Sequence, residues 1–212
     1  MPRGISPLVF FLQTMATTSI DICARALVMI GASPISSFTD GSTEALVASN
    51  VYTDITEAFL TRHRWRFATT QQALSLLTNT PAGRYTYAYQ IPTDPAALQV
   101  ISITVNDHVI PYSRYKNYIY VDNYGASSEL VMDYIYKVEE QYFPPHFRLA
   151  LEYELASVFA GSVARDSAMI KQFKELAERQ LLVAKNIDST ETTTKVLSLN
   201  RFTSLRTSTR ND

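Results

Sequence analysis

Cys23 is the only cysteine in a chain of 212 residues, which excludes an internal disulfide and a thiolate metal cluster. Six glycines in the whole chain leave little material for a phosphate-cradling loop, and no Walker, GxGxxG or GxSxG pattern occurs. Neither sign of charge prevails: 19 basic and 20 acidic residues give a net charge of −1. A dedicated nucleic-acid binder needs a surplus of Lys and Arg to displace counterions, so that class is disfavoured. No apolar run reaches the length that spans a bilayer. The short patch Leu8 to Leu12 is followed by no clear cleavage site, and Met15 heads a more ordinary start, so residues 1–18 read as an N-terminal extension. A soluble protein made in a reducing cytoplasm is the expectation, with Cys23 a buried, inert thiol.

What the chain does contain is apolar periodicity, at 46% hydrophobic residues. Ile20, Cys23, Ala24, Leu27 and Val28 recur at helical spacing behind a cap at Ser19, and Gly31 and Pro34 stop the helix. Ser42 or Thr43 opens a second helix whose apolar positions run from Ala48 to Leu60. From about residue 65 the period falls to two. Tyr85, Tyr87 and Tyr89 alternate with small or polar residues, as do Ile101, Ile103 and Val105, and Asn106-Asp107 is a hairpin turn. Lys116-Asn117 marks another turn, and Leu130, Met132, Tyr134 and Tyr136 form one face of a last strand. Pro144-Pro145 closes this stretch, and two further amphipathic helices follow. The expected fold class is α+β: a four-helix bundle (19–64 and 144–187), an inserted small antiparallel β-sandwich or barrel of five to seven strands (65–143), and an extended C-terminal tail (188–212).

The tail differs from the body. Ser and Thr make up 11 of its 25 residues, and no period is sustained. A segment of that composition cannot bury enough apolar surface to order itself, so a partner chain is expected to hold it. Leu197, Leu199, Arg201, Phe202, Leu205 and Arg206 are its anchors.

Catalytic readings have little to stand on. His63, His108 and His146 fall in no metal-ligand spacing, and neither cofactor nor metal is expected. Glu139-Glu140 and Glu152/Glu154 have the pairing of a glycosidase, but neighbours so close on a helix do not face each other, and solvated surface is expected. The cluster Arg62-His63-Arg64-Trp65-Arg66 mixes cations with one aromatic, as single-strand binders do, although Arg64 and Arg66 equally flank a buried Trp65. Thirteen tyrosines suit either a sugar-stacking platform or a subunit interface. The latter reading nominates Tyr85, Tyr87, Tyr89, Tyr118 and Tyr120.

The stretch Ala26 to Ser36 (ALVMIGASPIS), an Ala-bearing second helix ending in Trp65-Arg66-Phe67, and Tyr142-Phe143-Pro144-Pro145-His146-Phe147 before a third helix resemble, in order and spacing, the tail tubular protein A family of podophage head-to-tail adaptors. The resemblance frames residues 19–187. It implies a non-enzymatic ring subunit, of twelve copies, at the head-to-tail junction of the virion. Such a ring binds the portal protein on one side and nozzle or other tail proteins on the other, and double-stranded DNA passes through it without sequence-specific contact. The alternatives are a tail-associated glycan or peptidoglycan hydrolase, or a stopper protein at a neighbouring level of the same channel.

Overall fold

The computed structural model describes residues 17–78, 83–125 and 128–191. Helix α1 (Ser19–Met29) is capped one residue earlier than expected, by Thr18: Thr18 accepts the Asp21 amide, and the Asp21 carboxylate accepts the Thr18 amide in return. Ser19 cannot close such a reciprocal cap because Ile22 stands three residues on. At the other end Gly31 takes φ +77°, and the amides of Gly31 and Ala32 bond back to Val28 and Leu27, which satisfies two terminal carbonyls. Helix α2 (Thr43–Leu60) is capped by Ser42. Helix α3 (Pro145–Phe159) carries proline in its first turn and widens into a π turn at 160–164, and Asp166 caps α4 (Ser167–Thr190) through the amides of Ala168 and Met169. No helix among the described residues is long and apolar enough to cross a membrane.

The four helices share one core, centred on α3, which packs against each of the others. Ile22, Ala26 and Leu27 of α1, Ala48, Phe59 and Leu60 of α2, and Phe147, Leu151 and Leu155 of α3 are all buried there. Sequence periodicity implies an apolar stripe on each helix, but α3 is buried on most of its circumference, including Glu152, Glu154 and Ser157. At the root of the helices sits an aromatic hub. Trp65 meets Phe147 edge-on at 5.0 Å, Phe67 meets it at 4.9 Å, and Phe143 at 4.9 Å, with Phe59 at 5.4 Å from the other side. Each such pair adds about 0.5–1.5 kcal/mol beyond simple burial.

Between α2 and α3 the described residues form eight strands in two antiparallel sheets of four. The strands are β1 (Thr69–Ala73), β2 (Ser75–Leu76), β3 (Tyr87–Gln90), β4 (Ala97–Val105), β5 (His108–Val109), β6 (Ser113–Tyr115), β7 (Tyr118–Val121) and β8 (Val131–Tyr136). The first sheet has the order β1-β8-β4-β5 and the second β2-β3-β7-β6. Asn106 and Asp107 both adopt positive φ in the β4–β5 hairpin, and Lys116 does so between β6 and β7.

A second core lies between the sheets, with Ile103, Met132 and Tyr134 from the first and Tyr89, Ile119 and Val121 from the second. The opposite face of the first sheet presents Ile135, Leu98 and Ile101 to the helical core. Ile101, Ile103 and Val105 therefore do not share a face as strict alternation predicts. The register of β4 against β8 slips between Val100 and Ser102, and that irregularity turns Ile101 towards the helices. The layers run helices, first sheet, second sheet.

If the aromatic hub joins the two helical halves of the chain, Phe147→Ala should lower unfolding free energy by about 3–5 kcal/mol. Tyr142→Ala, at a side chain 64% exposed, should stay within about 0.5 kcal/mol, and urea titration of the two variants measures the contrast.

Candidate interaction surface

The five tyrosines nominated from the sequence divide between two faces of the second sheet. Pairing of Tyr87 with Val121 and of Tyr89 with Ile119 puts both tyrosines on the side of the second core. Tyr89 is 2% exposed, and its hydroxyl donates to the Tyr124 carbonyl at 2.8 Å. Tyr89 is thus a core residue and does not reach the outer face of the sheet. Tyr87 packs against the same core and closes on Gly125, where an added Cβ would come within 2.7 Å of its ring.

Tyr118 and Tyr120 point the other way, and Tyr115 joins them from β6 across the register Tyr115–Tyr118. Tyr85 precedes β3 and does not continue its alternation. Its ring reaches the outer face, 5.6 Å from Tyr120 and 6.2 Å from Tyr115, and Tyr115 and Tyr120 meet at 5.7 Å. Four rings thereby pave the outside of the second sheet, the layer farthest from the helices. Tyr85 is fixed by hydrogen bonds to Ser113 Oγ at 2.5 Å and from Arg84 at 2.7 Å, and the Arg84 guanidinium lies over its ring. Those bonds, Ser113 first and then Arg84, hold the Tyr85 phenol below its usual range.

Strict alternation groups Tyr85 with Tyr87 and Tyr89, but β3 starts at Tyr87 and the alternation does not reach back to Tyr85. Tyr115, absent from the nominated set, was findable from its place beside the Lys116-Asn117 turn, opposite Tyr118.

The paired glutamates are not solvated surface. Glu152 and Glu154 are each 5% exposed. Glu152 faces α1 and accepts from Arg25 at 3.0 Å, whereas Glu154 accepts from Arg62 at 2.7 Å and from Lys174 on α4 at 2.8 Å. They look away from each other, so they cannot flank one bond as acid and base. Glu139 is exposed, and Glu140 accepts the Tyr52 hydroxyl at 3.2 Å. Burial pushes the Cys23 thiol up to about 12, with Glu140 adding to the shift, and an unionised thiol is a poor nucleophile.

The basic cluster is largely absorbed by the fold. Arg62 serves Glu154, and Trp65 is buried. Asp188, 2% exposed, accepts the Arg66 amide at 3.1 Å and lies 3.3 Å from His63 Nε2, while Arg66 Nε donates to the Asp188 carbonyl at 3.0 Å. This clasp ties the end of α4 to the corner where α2 turns into β1. It also corrects the expected boundary of the tail. Helix α4 runs on to Thr190, and Asp188, itself buried, meets His63 and Arg66 there. Leu197, Leu199, Arg201, Phe202, Leu205 and Arg206 lie outside the described residues. Among the described residues no group of three or more His, Cys, Asp or Glu could hold a metal ion.

No protein-family model and no curated protein matches the chain.

The two buried glutamates should respond oppositely to acid. Burial pushes Glu154 up, but Arg62 and Lys174 outweigh it, and its carboxyl titrates below the usual value. Burial of Glu152 outweighs its one bond to Arg25, and its carboxyl titrates above. A depressed carboxyl contributes stability that is complete above the unfolded value of about 4.3 and is lost as pH falls through the folded one. A raised carboxyl does the reverse. Glu154→Gln should therefore cost about 1–2 kcal/mol at pH 7, discounted for its half-exposed cations, and progressively less below about pH 4. Glu152→Gln should leave stability at pH 7 unchanged or slightly higher. Thermal melts of both variants across pH 3–8 check the two signs.

Proposed function

We propose that the chain is a structural subunit of the ring that joins head to tail in a tailed bacteriophage: a four-helix bundle carrying an inserted β-sandwich, with a C-terminal tail that reaches a partner. Twelve such subunits beneath the portal protein would form the channel through which double-stranded DNA leaves, with nozzle or other tail proteins on the far side. The observation that carries the reading is the meeting of the family-like motifs. The α1 helix from the first, Trp65 and Phe67 from the second, and Phe143 and Phe147 from the third all feed one helical core, although the β strands separate the third from the other two in the chain.

A closed ring needs two different patches on each copy, one to meet the other on its neighbour. Leu182, Val183 and Ile187 stand exposed on the last turns of α4, and the tyrosine face lies on the layer farthest from the helices. Two patches of such different make-up suit heterologous contact. The hydrolase alternative draws no support from Glu152 and Glu154, since cations occupy both. A stopper at a neighbouring level of the channel is distinguished from the adaptor by its partner.

The clasp at Asp188 fixes where the tail can be cut. A chain ending at Glu191 should keep its thermal midpoint and helical circular dichroism yet fail to co-sediment with portal rings. A chain ending at Ile187 should lose stability as well, since His63 and the Arg66 amide lose their partner. Undiminished co-sedimentation by the chain ending at Glu191 would refute the tail's role, and failure of the full-length chain to bind portal rings would refute the adaptor reading.

A further inference from the structure

Beside the tyrosine face the second sheet is hollowed into a cleft of about 140 Å³, walled by Tyr85, Tyr112, Tyr120 and Tyr124, with Asp122 and Asn123 on its rim. We infer that this cleft is a carbohydrate subsite that takes one neutral sugar ring. Its size is that of about five water molecules, on the scale of a single pyranose ring. Aromatic faces suit the C–H side of such a ring. Planar carboxylate and amide groups suit its neighbouring hydroxyls. Asp122 and Asn123 are exposed, and among the described residues no side-chain hydrogen bond or ion pair engages them.

The cleft is also held in shape from within. Tyr89 donates from the core to the carbonyls of Tyr124 and Gly125, and Gly125 lets the loop close against Tyr87. Ser113 and Arg84 fix the Tyr85 ring. A site held this way loses little freedom on binding.

Other occupants fit less well. A polyproline segment advances about 3.1 Å per residue and needs a groove several residues long. A nucleic-acid strand would bring phosphates to a rim that carries Asp122. The inference does not rest on the ring reading: it gives to a sugar ring the face that the ring reading offers to a neighbouring copy, and the test separates the two occupants.

The test is saturation-transfer NMR of the full chain with the methyl glycosides of glucose, galactose, mannose and N-acetylglucosamine, and with their linear oligomers. We expect at least one sugar to bind, at roughly 1 mM for a single ring. Tyr120→Ala and Asp122→Ala should each weaken it at least about tenfold, Tyr120→Phe should retain it, and Tyr142→Ala should leave it unchanged. Circular dichroism would confirm that each variant folds. Absence of transfer to every sugar would overturn the proposal, as would binding that Tyr120→Ala and Asp122→Ala leave intact. Loss of self-association in Tyr85→Ala, with no sugar bound by the parent chain, would instead assign this face to protein contact and reject the subsite.

Discussion

The fold depends on bringing two distant stretches of chain to one point. Trp65 and Phe67 leave α2, and Phe143 and Phe147 enter α3, with all eight strands between them. Closing a loop of that length has an entropic cost, but the cost grows only slowly with length. A compact set of edge-to-face rings can offset it at a single place, and once those rings meet, both ends of the β region are anchored. Proline at the first turn of α3 then starts the returning helix, which packs along α1, α2 and α4.

Charge completes what the rings begin. A helix surrounded by three others would ordinarily be apolar throughout, yet α3 carries two carboxylates into its flanks. Each is met by cations from neighbouring helices, Arg25 on one side and Arg62 with Lys174 on the other. Buried ion pairs of this kind add little net stability, because desolvation consumes most of the attraction. What they supply is direction. Glu152 matches α1 and Glu154 matches the end of α2 and α4, so a helix turned about its own axis would leave both carboxylates unmatched.

These same charges explain where sequence reading succeeded and where it did not. Helix limits were legible wherever a chemical stop exists: Gly31, Ser42 and the Pro144-Pro145 pair all end or begin helices as expected. The Asn106-Asp107 and Lys116-Asn117 turns were equally legible. The centrality of α3 was not, because Glu152 and Glu154 look like solvent-facing residues until their partners are placed. Nor was the slip in β4 that sends Ile101 to the helices and Ile103 to the sheets, since a bulge leaves no mark in a period of two. The tyrosine surface was half legible. Tyr118 and Tyr120 share their outer face by simple pairing, whereas Tyr89 is indistinguishable from them by residue type. The end of α4 was hidden for a related reason: Asp188 opens a Ser- and Thr-rich stretch, and its partners His63 and Arg66 lie far away in sequence.

Strand β8 belongs to both cores at once, with Tyr134 turned to the second sheet and Ile135, its next neighbour, turned to the helices. The helices and the second sheet therefore lean on opposite sides of a single strand, a shared wall, and a substitution that displaces β8 is expected to disturb both cores together.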